Sequence, residues 1–367
     1  MKNLNIDKSS WKLVKFGDVV VEPKETITDL AASGLEHIVG LEHIDTESIH
    51  LRRSAGIEES TTFTKRFAVG DVLFGRRRAY LKKAAQASFD GICSGDITVL
   101  RAKKNLLPEL LPFIVNNDKF FDYAVKHSAG GLSPRVKFKD LADYEFLLPP
   151  KEQQAELAEL LWVMDKVIEK DLAVLESVKT LLTLEMLQIK NKYFKKKIIT
   201  SEEKFMEGKL EDFFVLQRGF DLTKEKSLAG DIPVISSSGL SYYHNVAMCQ
   251  SPGVITGRKG KIGDVYFTAL HYWPHDTTLW VKDFKDNNPK FIYWFLKSIN
   301  LETFNAATAV PTLNRNTIHP LNIYFPLSEK QTFLANLLDI LDNEIDQIRI
   351  HIANSKALQK SLINEVF

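Results

Sequence analysis

The sequence predicts an α+β protein built twice over. Two similar mixed α/β domains are separated by two long helices forming an antiparallel coiled coil, in a pseudo-twofold tandem repeat. Three observations predict it. Five segments recur in the same order about half the chain apart. Two stretches carry apolar residues at the period of a helix. The rest is a series of short apolar runs, rich in β-branched and aromatic residues and broken by Gly, Ser, Asn and Pro, which reads as strands with a few short helices.

The first recurrent segment is "DVLFGRRRAYLKKAA", residues 71–85, against "GVITGRKGKIGDVYF", residues 253–267. Each reads as a strand, a tight basic turn and a second strand, with an offset of 182. Asp96 and Thr98 lie over Asp276 and Thr278 at offset 180, and Pro108 over Pro289 at 181. Arg135 in "SPRVKFKDL" lies over Arg315 in "LNRNTIHPL" at 180. Pro149, Glu152, Gln154, Leu157, Leu160 and Leu161 fall on Pro326, Glu329, Gln331, Leu334, Leu337 and Leu338 at 177. The units are too long for a solenoid repeat and suit two similar domains.

From Leu157 apolar positions run 157, 161, 164, 168, 172, 175, 178, 182, 186, 189 and 193, a mean spacing of 3.6 residues. Leu334, Leu338, Leu341, Ile345, Ile348 and Ile352 alternate steps of four and three, the seam of a coiled coil. Pro149 and Pro150 precede the first helix, where a missing N–H costs nothing. Ser328 and Gln331 fit a capping box before the second. Lys195, Lys196 and Lys197 gather where the first helix should stop, which suits the negative end of its dipole. Such helices would be about 50 to 65 Å long at ~1.5 Å per residue, and a single apolar seam of that length needs a partner. The expected divisions are a first head at 1–149, a central helix at 150–197, a second head at 206–326 and a C-terminal helix at 327–367.

Charge is near balance, formally +1, so a nucleic-acid surface would have to be a local patch. "MKNLNIDKSSWK" lacks the apolar core of a secretory signal, and residues 232–257 are too polar to span a bilayer. Cys93 and Cys249 sit in unrelated contexts and read as reduced thiols, and a soluble cytoplasmic protein is expected.

Between Asp71 and Lys104 eight cations stand against three acids. Arg76, Arg77, Arg78, Lys82 and Lys83 crowd the first turn, and Arg258, Lys259 and Lys261 occupy the second. Basic residues on a hairpin tip can reach phosphates, and Arg can grip guanine bidentately in the major groove. They can also merely solubilise a turn, but their recurrence at matched places favours DNA. Arg135 with Lys137 and Lys139, and Arg315, follow loops containing Gly or Pro and make a second candidate edge. "SSSGLSYYHN", residues 236–245, reads as a loop offering Tyr242 and Tyr243.

The glycines at 257, 260 and 263 are not spaced as a dinucleotide fingerprint, and no Walker lysine follows a glycine loop. The histidines show no metal-ligand spacing, no Ser/His/Asp order stands out and no amino-methyltransferase tetrad is found. This leans towards a non-catalytic protein.

Taken in order, "WKLVKFGDV", "LSPRVKFKDLADYEFLLPPKEQQAELAELL", a long helix, "GKLEDFF" and "NRNTIHPLNIYFPLSEKQTFLANLL" resemble the specificity subunit of type I restriction-modification enzymes over essentially the whole chain. The most specific parts are the two helix starts and the "VITGRKGKIGDV" turn. The resemblance implies a non-catalytic DNA-recognition subunit whose two heads, as target-recognition domains, each read half of a split site on double-stranded DNA. It also implies that the helices dock two methyltransferase subunits, which would use S-adenosylmethionine. Restriction/translocase subunits would cleave unmodified DNA with ATP and Mg. One departure is that Pro311-Thr312-Leu313 stands where the first head has Gly131-Leu132-Ser133, so only Arg135 and Arg315 are carried across that loop. A coiled-coil adaptor with two protein-interaction domains and no DNA binding is the alternative; an enzyme would need a catalytic domain that the two repeats leave no room for.

Overall fold

The computed structural model describes residues 7–27, 29, 32–58, 62–195, 204–305 and 309–367. The chain divides into two compact units: unit 1 is Met1–Leu172 with His351–Phe367, and unit 2 is Ala173–Ile350.

Unit 1 is built on a four-stranded antiparallel sheet in the order Val20–Val21, Ile97–Ala102, Val72–Gly75, Ala84–Gln86. Strand Val72–Gly75 is buried at every position, so its sequence is a continuous apolar run with no polar face. Its side chains still alternate. Val72 and Phe74 join the core under helices Leu111–Val115 and Asp118–Lys126, with Phe113, Phe120 and Phe121. Leu73 joins the core on the other face with Val39, Phe67 and Cys93.

Unit 2 repeats the plan with strands Val215–Arg218, Thr278–Asp283, Gly253–Gly257 and Val265–Thr268. Val254 faces the aromatic core of helix Pro289–Ser298, and Ile255 faces Ile235, Cys249 and Tyr272. The repeated strand-turn-strand reading is therefore right in both units. Residues 236–245 are a correction. They are the turn and second strand of a hairpin, Ile232–Ser236 with Gly239–His244, because Gly239 supplies the left-handed turn conformation (φ 93°) that brings the strands together.

Each unit has a second, three-stranded sheet with one parallel pair: Ile38–Val39 with Gly91–Cys93, and Ile232–Ser236 with Trp273–Pro274. The third strand differs. In unit 1 Lys65–Phe67 adds to the later member of the pair, whereas in unit 2 Gly239–His244 adds to the earlier one.

The long helices are Lys151–Ile189, followed by a π-turn Lys190–Phe194, and Ser328–Val366. Each expected seam position is buried or half-buried. Within unit 1 the two helices run antiparallel. Gln359 donates to the Leu161 carbonyl, and His351 meets Asp171 at 2.7 Å, so partner numbers fall as positions rise. The α-helix stops at Ile189, short of the lysine cluster, where the wider π-turn lets Tyr193 enter the unit 2 core. Lys195 caps that turn, and Lys196 and Lys197 lie outside the described residues.

The capping box at Ser328 is also corrected. Gln331 is fully buried; it accepts from Asn288 N–H and donates to the Asn287 side chain and the Pro326 carbonyl. Gln154 does the equivalent in unit 1, accepting from Leu107 N–H and donating to the carbonyls of Asn105 and Pro149. These matched glutamines pin each helix start to its head, since an unsatisfied buried amide would cost more than the cap contributes.

Cys93 and Cys249 are buried free thiols, and burial pushes both up to about 12. No helix among the described residues is long and apolar enough to cross a membrane.

Candidate nucleic-acid interface

The basic turn of each unit is held by one set of backbone hydrogen bonds. In unit 1 Val136 N–H donates to the Arg76 carbonyl (3.0 Å), Arg78 N–H to the Pro134 carbonyl (2.8 Å), and Arg77 bridges Arg135. In unit 2 Leu313 N–H donates to the Arg258 carbonyl (2.8 Å), Gly260 N–H to the Pro311 carbonyl (3.0 Å), and Lys259 bridges Thr312. Short helices Phe138–Leu141 and Arg315–Ile318 follow, capped by Lys137 and Asn314.

This geometry corrects the register of the repeat. Arg135 is equivalent to Thr312, not Arg315, and Pro311-Thr312-Leu313 stands over Pro134-Arg135-Val136. The offset across the loop is 177, the same as at the helix start. Likewise Gly75 pairs Ile97 as Gly257 pairs Thr278, which sets Asp96 over Thr277 rather than Asp276. Hydrogen-bond register decides equivalence, and similar residues one to three positions away fall out of it.

In unit 1 the corner gathers Arg76, Arg77, Arg78 and Arg135. Asp96 joins two of them, accepting from Arg135 Nε at 2.7 Å and from Arg77 at 3.2 Å. Burial acts to raise the Asp96 carboxyl, but the hydrogen bonds from Arg135 and Arg77 outweigh it and hold it below the ordinary carboxylate value. Arg77 also donates to Ser133 Oγ at 3.1 Å. Arg76 is half-buried with its Nε unpartnered, and Arg78 is exposed in a left-handed conformation (φ 53°).

Other cations of this stretch also have partners within the unit. Lys82 pairs with Asp118 at 2.6 Å, and Lys83 donates to the Leu41 carbonyl at 2.6 Å. Arg101 grips the buried Asp71 with two bonds of 2.7 and 2.8 Å. Lys137 and Lys139 are exposed beside the corner. The excess of eight cations over three acids therefore overstated the basic surface, because charge counting cannot see which acids distant loops supply.

In unit 2 Arg258 and Arg315 line one open cavity of about 750 Å³ with Arg218, Asp221, Thr312 and Asn314. Arg218 was missed; it ends a strand far from the turns in sequence, and only the sheet order brings it here. It pairs with Asp276 at 3.0 Å. Burial, then the charge of Arg218, push the Arg258 guanidinium below its ordinary value. A Cβ at Gly257 would run into the Lys261 carbonyl, so glycine is required for this turn to fold back. Lys259 is exposed, and Lys261 is paired with Asp264. Tyr242 and Tyr243 lie on the other sheet: Tyr242 donates to the Leu222 carbonyl, while Tyr243 is exposed.

Two carboxylate–histidine groups are compact enough to suggest a metal, but their groups have other partners. His50 meets Asp165 at 2.7 Å, with Arg52 on Glu169; His275 meets Thr277 Oγ1 and the Leu222 carbonyl, with Arg218 on Asp276.

Residues 202–354 match the family model for the type I restriction modification DNA specificity domain. The chain is 30% identical over 118 residues to the EcoDI specificity subunit of Escherichia coli, a stretch covering 31% of this chain and 26% of that relative's length. The type I restriction-modification S subunit from M. genitalium superposes with a TM-score of 0.65 at 14% identity, covering 100% of this chain and 98% of that one. A chain from a type I system solved to explain complex assembly and conformational transition gives 0.60 at 16%, covering 98% and 96%. The structural likenesses establish the fold, that of type I restriction-modification S subunits, and within it residues 202–354 match the type I restriction modification DNA specificity domain.

Proposed function

We propose that this chain is the DNA sequence-specificity subunit of a type I restriction-modification complex, reading a bipartite target with one head per half-site. One observation carries the reading: both units build a basic corner from the same backbone crossings, yet fill it with different side chains. A shared frame with different tips suits two heads that read different sequences, since backbone contacts orient a protein on DNA while side chains at base edges specify. In unit 1 the DNA-facing groups are Arg76, Arg77, Arg78 and Arg135, and in unit 2 Arg258, Lys259 and Arg315.

The partners in this proposal are two methyltransferase subunits, carrying S-adenosylmethionine, and restriction/translocase subunits, using ATP and Mg. This chain recognises and performs no chemistry, and it works in the cytoplasm. Apolar side chains left on the long helices support docking there: Val163 and Val167 in unit 1, and Phe333 and Ile340 in unit 2, are each 44% exposed or more.

The test is selection from a random duplex pool with the full chain, with and without its methyltransferase partner, at two salt concentrations. Enrichment of two short motifs at fixed spacing is expected. Binding that stays blind to sequence and collapses with salt, partner present, would sink the reading in favour of an adaptor.

A further inference from the structure

The cavity of unit 2 is a recess, and that decides which part of a duplex it can meet. Arg218 enters it from the end of strand Val215–Arg218, Arg258 from the residue after strand Gly253–Gly257, and Arg315 from the start of a short helix. These three arginines share the lining with one acidic residue, Asp221. Among the described residues Arg258 and Arg315 make no ion pair, and Arg258 Nε is buried with no hydrogen-bond partner. Asp276 pairs with Arg218 but leaves Arg258 and Arg315 without a carboxylate of their own, and an entering anion relieves the repulsion that remains.

We infer that this cleft seats a backbone phosphate of the bound duplex and positions the second head, while its projecting side chains meet the bases. The inference rests on the DNA-recognition reading above. In an intact duplex base edges lie on the groove floor, where only a protruding side chain reaches them, whereas phosphates stand on the ridges and enter recesses. One guanidinium suffices for the edge of one guanine. Three arginines lining one recess from separate elements match the several oxygens and the charge of a phosphodiester.

The experiment measures affinity of the full chain against salt on two duplexes, the selected target and a scramble of equal length. Arg258→Ala and Arg315→Ala should each flatten the slope of log affinity on log salt by about 0.9, equally on both duplexes, and leave the target-to-scramble ratio unchanged. Arg→Lys at the same positions should restore most of the slope. A wild-type scan with single neutral methylphosphonates needs no variant and should find one phosphate in the second half-site with the same loss. A ratio that falls at one base pair while the slope holds would make the cleft a base reader and overturn the inference. Unchanged variants together with a flat methylphosphonate scan, beside a wild type that binds the target, would overturn the cleft alone. A wild type that binds neither duplex overturns the functional reading and the cleft with it.

Discussion

The two heads share a frame and differ in how their cations are held. In unit 1 Arg77 and Arg135 are clamped together by Asp96, and Arg101 is locked onto buried Asp71. In unit 2 the equivalents are Lys259, Thr312, Thr277 and Lys282; the clamp is gone, and Arg258 stands in an open cleft beside Arg218. The same backbone crossings thus build both corners, while the carboxylate clamp that joins two arginines across the corner is present in unit 1 and absent from the matched positions of unit 2. The frame does not need that clamp, which leaves the side chains free to differ.

The largest expected effect tests that stiffening. Arg101→Ala leaves Asp71, 2% exposed, as an uncompensated buried charge, and should cost unit 1 about 3–5 kcal/mol. Lys282→Ala, at the same step of the exposed strand end in unit 2, should stay within about 0.5 kcal/mol. Urea unfolding followed by hydrogen exchange of peptides from each unit measures both. Equal losses would break the comparison.

A smaller effect is expected at the clamp. Asp96→Asn removes the charge that holds two arginines and should cost about 1–2 kcal/mol at neutral pH. The folded state holds this carboxyl below its unfolded value near ~3.9, so it binds fewer protons than the unfolded chain between the two. The contribution is therefore complete above that value and is lost as pH falls through the folded one. The gap between wild type and Asp96→Asn should close below about pH 4, and a gap independent of pH would assign the loss to packing instead.

The smallest effect concerns one backbone position. Arg78 holds a left-handed conformation where unit 2 has Gly260 (φ 80°). Arg78→Gly should relieve strain by about 1 kcal/mol and stabilise unit 1 slightly, while weakening its DNA binding. A destabilised variant would mean that the Arg78 side chain packs as well as binds.

The sequence by itself determined the duplication, the strand-turn-strand device and both helical seams. Those are periodic features, and periodicity is local: it survives without knowing what an element packs against. The glutamines at 154 and 331 were also visible as a match, but their role was not. A polar residue near a helix start reads as a cap until its buried partners, Leu107 N–H and Asn288 N–H, are brought to it by the fold.

Tertiary structure alone decided which cations face solvent. Asp118 and Leu41 engage Lys82 and Lys83, and Arg218 comes to the candidate surface across the sheet. It also set the register that places Thr312 over Arg135. Charge and residue likeness along a chain carry no information about pairing across it; strand order and the demand that buried donors and acceptors be satisfied do.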